Sequence, residues 1–106
     1  MSERKEKEVL VYVDPRLEKL IPKFMTAQKT QFELMKAALK NLKYEDLKLL
    51  GHRMKGSCGG YGFALLGELG GKVEKAAEVQ DFELLSDSIS KLEICFESLK
   101  IEYRKI

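Results

Sequence analysis

The 106-residue chain has one histidine, no tryptophan, two cysteines and two prolines. One imidazole and two thiols are too few to assemble a histidine and cysteine metal cluster, so no metal site is expected. Cys58 and Cys95 fit unpaired thiols in a reducing cytoplasm better than a disulfide framework. Pro15 and Pro22 both lie near the N-terminus, which leaves the remainder open to long helices. No apolar run approaches the ~20 residues that cross a bilayer, so no membrane partner is expected. The charged start, Met1 to Glu8, lacks the apolar core of a signal peptide, and the expected location is cytoplasmic. Charge of either sign is not in excess: 19 basic and 17 acidic residues give a net charge of +2, which argues against nucleic acid. No glycine-rich loop follows a strand and no Walker pattern occurs, so the chain has no evident nucleotide site.

Glycine is absent almost everywhere. All eight glycines fall between Gly51 and Gly71, in the stretch that contains the histidine, His52. Each costs roughly 0.5–1 kcal/mol relative to alanine inside a helix. Clearing side chains from around one imidazole is a reason to accept that cost.

What is present is helix-forming sequence. Residues 1–8 read as a solvated tail, and Val9 to Val13 as a short extended stretch packed over the helices. Residues 1–13 thus precede a helical domain over 14–106. Asp14-Pro15 starts a first short helix, because the carboxylate caps free N–H groups and proline suits the first helical position. Pro22 ends or kinks it near Ile21. A second helix is expected over about 23–40, with Met25, Gln28, Phe32, Met35, Leu39 and Leu42 as its seam. Asn41 to Lys43 is a turn. A third helix begins near Tyr44 and breaks among Gly59, Gly60 and Gly62. A fourth is expected over about 63–78 with Leu65, Leu66, Leu69, Val73 and Ala76 inward. Asp81 caps a fifth that runs to about Arg104, with Phe82, Leu85, Ile89, Leu92, Phe96, Leu99 and Tyr103 at 3-4 spacing. Short connections imply antiparallel neighbours. The fold class is therefore all-α: an up-down-up-down four-helix bundle with a short extra N-terminal helix.

Helical phase decides where His52 points. Leu47, Leu50, Met54, Cys58 and Tyr61 form one stripe, and His52 lies roughly 160° from its middle at ~100° per residue. It faces solvent. Its neighbours on that face are Glu45, Lys48, Leu49, Lys55, Gly56 and Gly59. Two ammonium groups, Lys48 and Lys55, are a turn away, and position i+4 carries no side chain. Gly59, Gly60 and Gly62 read as helix termination. Gly67, Gly70 and Gly71 read as close helix–helix packing.

These residues resemble a known signature. His52-Arg53-Met54-Lys55-Gly56-Ser57, with Gly62 ten positions after the histidine, is similar to the His-x-apolar-Lys-Gly-small pattern of histidine-containing phosphotransfer (HPt) domains. Asp14-Pro15, Phe24, Ala37-Ala38-Leu39 and Leu69 to Glu74 also match, so the resemblance spans about residues 14–104. Gly59 and Gly60 make this chain richer in glycine there than many members. The resemblance implies a phosphocarrier that takes a phosphoryl group on His52 from a receiver-domain aspartyl phosphate, or through a histidine kinase relay, and passes it to another receiver aspartate. It implies that Lys55 stabilises phosphate and that Gly56 gives steric clearance. Lys48, Leu49 and Gly59 are the expected partner-docking residues. The implied partners are a response-regulator receiver domain and a sensor or hybrid histidine kinase, with the chain itself a monomer. No cofactor of its own is implied, since the receiver brings Mg²⁺. The chain is then not an enzyme by itself but an intermediate that acts with a partner.

Three other readings fit less well. A helical adaptor that never carries phosphate has no use for His52, Lys55 and Gly56 together. A chemotaxis-type kinase shares the motif but needs catalytic and dimerisation domains, so the chain would be a piece of a larger hybrid or chemotaxis-type kinase. A metal or cofactor bundle lacks inward Glu-x-x-His pairs.

Overall fold

The computed structural model describes residues 8–105. The expected solvated tail lies almost wholly outside them. In chain order the elements are strand β1 (Val9–Val13), a 3-10 helix (Pro15–Leu20), helices α1 (Ile21–Lys40), α2 (Tyr44–Gly59), α3 (Ala64–Glu78) and α4 (Phe82–Ser98), and strand β2 (Leu99–Tyr103). Helix α2 shares its largest interface with α3, α4 packs on α3, and α1 touches both α2 and α4. Among the described residues no helix is long and apolar enough to cross a membrane.

Local chemistry sets the first boundaries. Asp14 accepts a hydrogen bond from the Arg16 backbone N–H at 2.9 Å and meets the Arg16 guanidinium at 2.7 Å. These contacts hold its carboxyl down at about 2. The 3-10 helix ends at Leu20, and Pro22 sits in the first turn of α1, where its missing N–H leaves no bond unmade.

Each helix then buries one face. In α1 that face is Ile21, Phe24, Gln28, Phe32, Met35 and Ala38. The expected seam holds in its middle and fails at its ends. Met25 is half-buried, because Phe24 takes the inward position and its ring packs on Tyr61 and Phe63, at 4.5 and 5.0 Å between centroids, and Leu39 at the other end is half-buried beside the buried Ala38. Leu42 is exposed because α1 has already ended. In α2 the stripe Leu47, Leu50, Met54 and Cys58 is buried, as phase predicts. In α3 Leu66, Leu69, Val73 and Ala76 are buried, but Leu65 turns outward since Leu66 occupies the core side. In α4 Leu85, Ile89 and Leu92 are joined by Ser88 and Cys95, while Phe82 at the helix start is exposed.

The three connections between helices close with the same bond. Lys43 N donates to Ala38 O, Phe63 N to Cys58 O, and Asp81 N to Ala76 O, at 2.9, 3.1 and 2.9 Å. Each needs a left-handed residue just before the donor, and these are Leu42, Gly62 and Gln80. Only the middle one is glycine. Its backbone also lies against β1, where a Cβ would stand 3.2 Å from the Tyr12 carbonyl.

The last turn of the expected fifth helix is not helical: the described residues are mostly helical, compatible with the all-α expectation, but two short strands accompany the helices. Helix α4 stops at Ser98, and Leu99–Tyr103 pairs in parallel with Val9–Val13, from Val9 opposite Leu99 to Val13 opposite Tyr103. The sequence Leu-Lys-Ile-Glu-Tyr satisfies two periods at once. Leu99 and Tyr103 continue a helical seam, but Leu99, Ile101 and Tyr103 also alternate as a strand does. Pairing with β1 favours the second, because it buries Val11 and Val13 beneath the sheet. Val9 to Val13, expected as an extended stretch packed over the helices, is joined to the helical unit in this way. Burying a valine stabilises by roughly 1.5–3 kcal/mol, so a chain starting at Asp14 is expected to lose at least about 2 kcal/mol of stability. Thermal melting followed by circular dichroism checks this.

Candidate functional site

Helix α2 carries His52 on the side away from its core stripe. The side chain is 66% exposed. Its Nδ1 lies 3.1 Å from Glu74 Oε2 on α3. An ionised carboxylate can only accept, so Nδ1 carries the proton and donates it to Glu74. The neutral ring then has its lone pair on Nε2. Glu74 itself is held against the protein, with its side chain 23% exposed. The pair fixes the ring's tautomer and orientation while leaving the other nitrogen free.

The sequence reading did not assign Glu74 a role. Phase places residues around one helix but does not give the register of a neighbouring helix. A weak signal was present in the glycines. Gly51 immediately precedes His52, and Gly70 comes one turn before Glu74. A Cβ on Gly51 would stand 2.6 Å from Gly70 O and from Glu74 N. The two helices therefore meet backbone to backbone beside the histidine. Gly51 serves this packing and does not clear space around the ring. Gly70 packs closely, as expected, whereas Gly67 and Gly71 make only ordinary contacts.

The remaining candidate residues divide between two surfaces. A shallow hollow brings together His52, Glu74, Lys48, Leu49, Glu45 and Asp46. The hollow thus gathers three carboxylates and one ammonium; Glu45 and Lys48 belong to the face expected from phase, Asp46 and Glu74 do not. Lys55 is exposed but lines the adjoining cleft between α3 and α4 with Lys72, Lys75 and Lys91. Its stem lies along α3, where a Cβ on Gly71 would be 3.4 Å from its Cδ. Among the described residues neither Lys48 nor Lys55 is held in an ion pair. Leu49, 48% exposed, also borders a groove against Leu34 and Ala37 of α1. A Cβ added to Gly56 or Gly59 would meet nothing within 4 Å. Neither glycine is needed for packing within the molecule.

A buried bond ties this face to α1. Gln28, the polar member of the α1 seam, is only 2% exposed. Its Nε2 donates to Ser57 Oγ at 3.0 Å, and Ser57 Oγ donates to Arg53 O at 2.9 Å. Ser57 follows Gly56, so the helix is anchored from behind at the level where its outer face is bare. The two cysteines lie deeper. Burial pushes the Cys58 thiol up to about 12 and Cys95 to about 11. Among the described residues no group of three or more His, Cys, Asp or Glu side chains is placed to hold a metal ion.

The arrangement can present a singly protonated imidazole, oriented from one side and open on the other, to an electrophile. No family model, curated protein or solved structure matches this chain.

Two measurements check these assignments. Gly56→Ala is expected to stabilise by up to ~1 kcal/mol, since it improves helix propensity in open space, while Gly51→Ala lowers the melting temperature. Both thiols should resist alkylation at pH 8 in the folded protein and react once it is unfolded, read by mass spectrometry.

Proposed function

We propose that this protein is a phosphocarrier of the HPt kind, built as an up-down-up-down four-helix bundle and working in a two-component phosphorelay. The observation that carries the reading is the His52–Glu74 bond, which occupies Nδ1 and leaves Nε2 free on an exposed ring. The resemblance of His52 through Ser57 to the HPt signature supports it.

In this reading Nε2 attacks the phosphorus of a receiver aspartyl phosphate in line. The new bond is N–P. The acyl phosphate O–P bond breaks, and its electron pair leaves with the receiver carboxylate. The ring becomes cationic, and the Glu74 carboxylate at Nδ1 offsets that charge. Passing the group to a second receiver reverses these steps. Phosphoryl transfer depends on positioning and neutralisation more than on covalent chemistry by the protein. Lys55 supplies a cation to the phosphoryl oxygens when its flexible stem lifts from Gly71, and Lys48 stands in the hollow itself. Gly56 leaves room for the partner, and Leu49 and Gly59 border its approach. Mg²⁺ comes with the receiver. The carrier acts as a cytoplasmic monomer between a sensor or hybrid kinase and its receivers.

The test is transfer of radiolabelled phosphate from phosphorylated receiver domains. Label should appear on the wild-type chain and be lost in His52→Gln, with the helical circular dichroism unchanged. Lys55→Ala should slow transfer and shift stability by less than roughly 0.5 kcal/mol. Labelling that survives His52→Gln refutes the assignment.

A further inference from the structure

Gly51 and Gly70 lie where α2 and α3 cross, and the residues that flank this crossing are the two members of the site. Gly51 is bonded to His52, and Glu74 follows Gly70 by one helical turn. The neighbours of the missing side chains are mostly backbone. A Cβ on Gly51 would lie 2.6 Å from Glu74 N and 3.1 Å from Glu74 Cα. A Cβ on Gly70 would lie 3.0 Å from Gly51 O and from Lys55 N, and 2.9 Å from Met54 Cβ. Backbone atoms in a helix cannot rotate aside as a side chain can. Elsewhere along the same interface the spacing is relaxed: a Cβ on Gly67 would make contacts of 3.5 Å or more.

We infer that Gly51 and Gly70 are positioning residues, whose backbone contact brings Glu74 within hydrogen-bond reach of His52 Nδ1 and so selects the ring nitrogen that is free to react. The inference deepens the phosphocarrier reading and rests on it for its functional meaning. The geometry itself is independent of that reading. To restore ordinary contact an alanine must push α3 from α2 by roughly an ångström at Gly51 and by roughly half that at Gly70, and a 3.1 Å hydrogen bond lengthened by either amount falls outside hydrogen-bond range. Glu74 reaches the ring only because its own backbone stands against the residue before the histidine. Without it, an exposed imidazole is free to exchange its proton between both nitrogens.

The experiment reads the tautomer of His52 by long-range ¹H–¹⁵N correlation on the full chain at a pH where the ring is neutral. There is one histidine, so the spectrum has one ring to assign. Wild type should show the Nδ1–H form. Glu74→Ala should lose it, and Gly51→Ala and Gly70→Ala should lose it likewise, while Gly67→Ala retains it. Folded Gly51→Ala and Gly70→Ala proteins with the wild-type tautomer overturn the proposal. Should both glycine variants fail to fold, Glu74→Asp decides. With the helices held at fixed separation the shorter side chain falls short, so the Nδ1–H form is lost at a near-normal melting temperature. If it persists there, helix spacing is not what sets the bond, and the proposal falls. Phosphate transfer measured on the same samples separates the two ideas. A wild-type chain that shows the Nδ1–H form but takes no label from any receiver refutes the phosphocarrier reading and leaves the glycine assignment standing.

Discussion

The contact between helices α2 and α3 is the constraint on which the site depends. Over most of its length this interface is made by side chains, with Met54, Cys58, Leu66, Leu69 and Val73 buried. At Gly51 and Gly70 it is made by backbone. Side-chain packing tolerates small shifts by changing rotamers, whereas two helix backbones in contact have little freedom. Placing the rigid part of the interface beside the one exposed imidazole gives the histidine a fixed partner without burying it. The same face keeps Gly56 and Gly59 bare, so the ring is firmly held from one side and accessible from the other.

Other features hold the frame around that contact. The Gln28–Ser57–Arg53 chain of hydrogen bonds fastens α2 to α1 behind the site. Phe24, Tyr61 and Phe63 stack across the connection that follows α2, where Gly62 lets the backbone pass close to β1. The carboxylates of Glu45 and Asp46 open α2 in its first turn, where they complement the helix dipole, and they border the hollow of His52 as well. Glu74 of α3 adds a third carboxylate that α2 does not supply.

Much of this was legible in the sequence, and for identifiable reasons. Amphipathic spacing located all four long helices, and the turn at Asn41 to Lys43 and the cap at Asp81 marked real boundaries. Phase within α2 correctly turned His52 outward, since that inference needs only one helix. What failed needed information from two. The partner of His52 depended on the register of α3, and phase around α2 counted lysines but not the carboxylate across the interface. Lys55 follows the same logic: one turn from His52 along α2, it is drawn toward Gly71 of α3. The strand at Leu99 was hidden because its apolar residues fit two periods, and the choice between them is made by Val9 to Val13 at the other end of the chain.

That pairing has a consequence for the order of assembly. Residues joined in the sheet are about ninety positions apart in the chain, from Val9 with Leu99 to Val13 with Tyr103. His52 and Glu74 are 22 apart, within a single helical hairpin. Closing a long loop demands more chain entropy than closing a short one, so contacts between distant segments form after local ones. The hairpin of α2 and α3 can assemble from its own neighbourhood, and the sheet closes over a structure already in place.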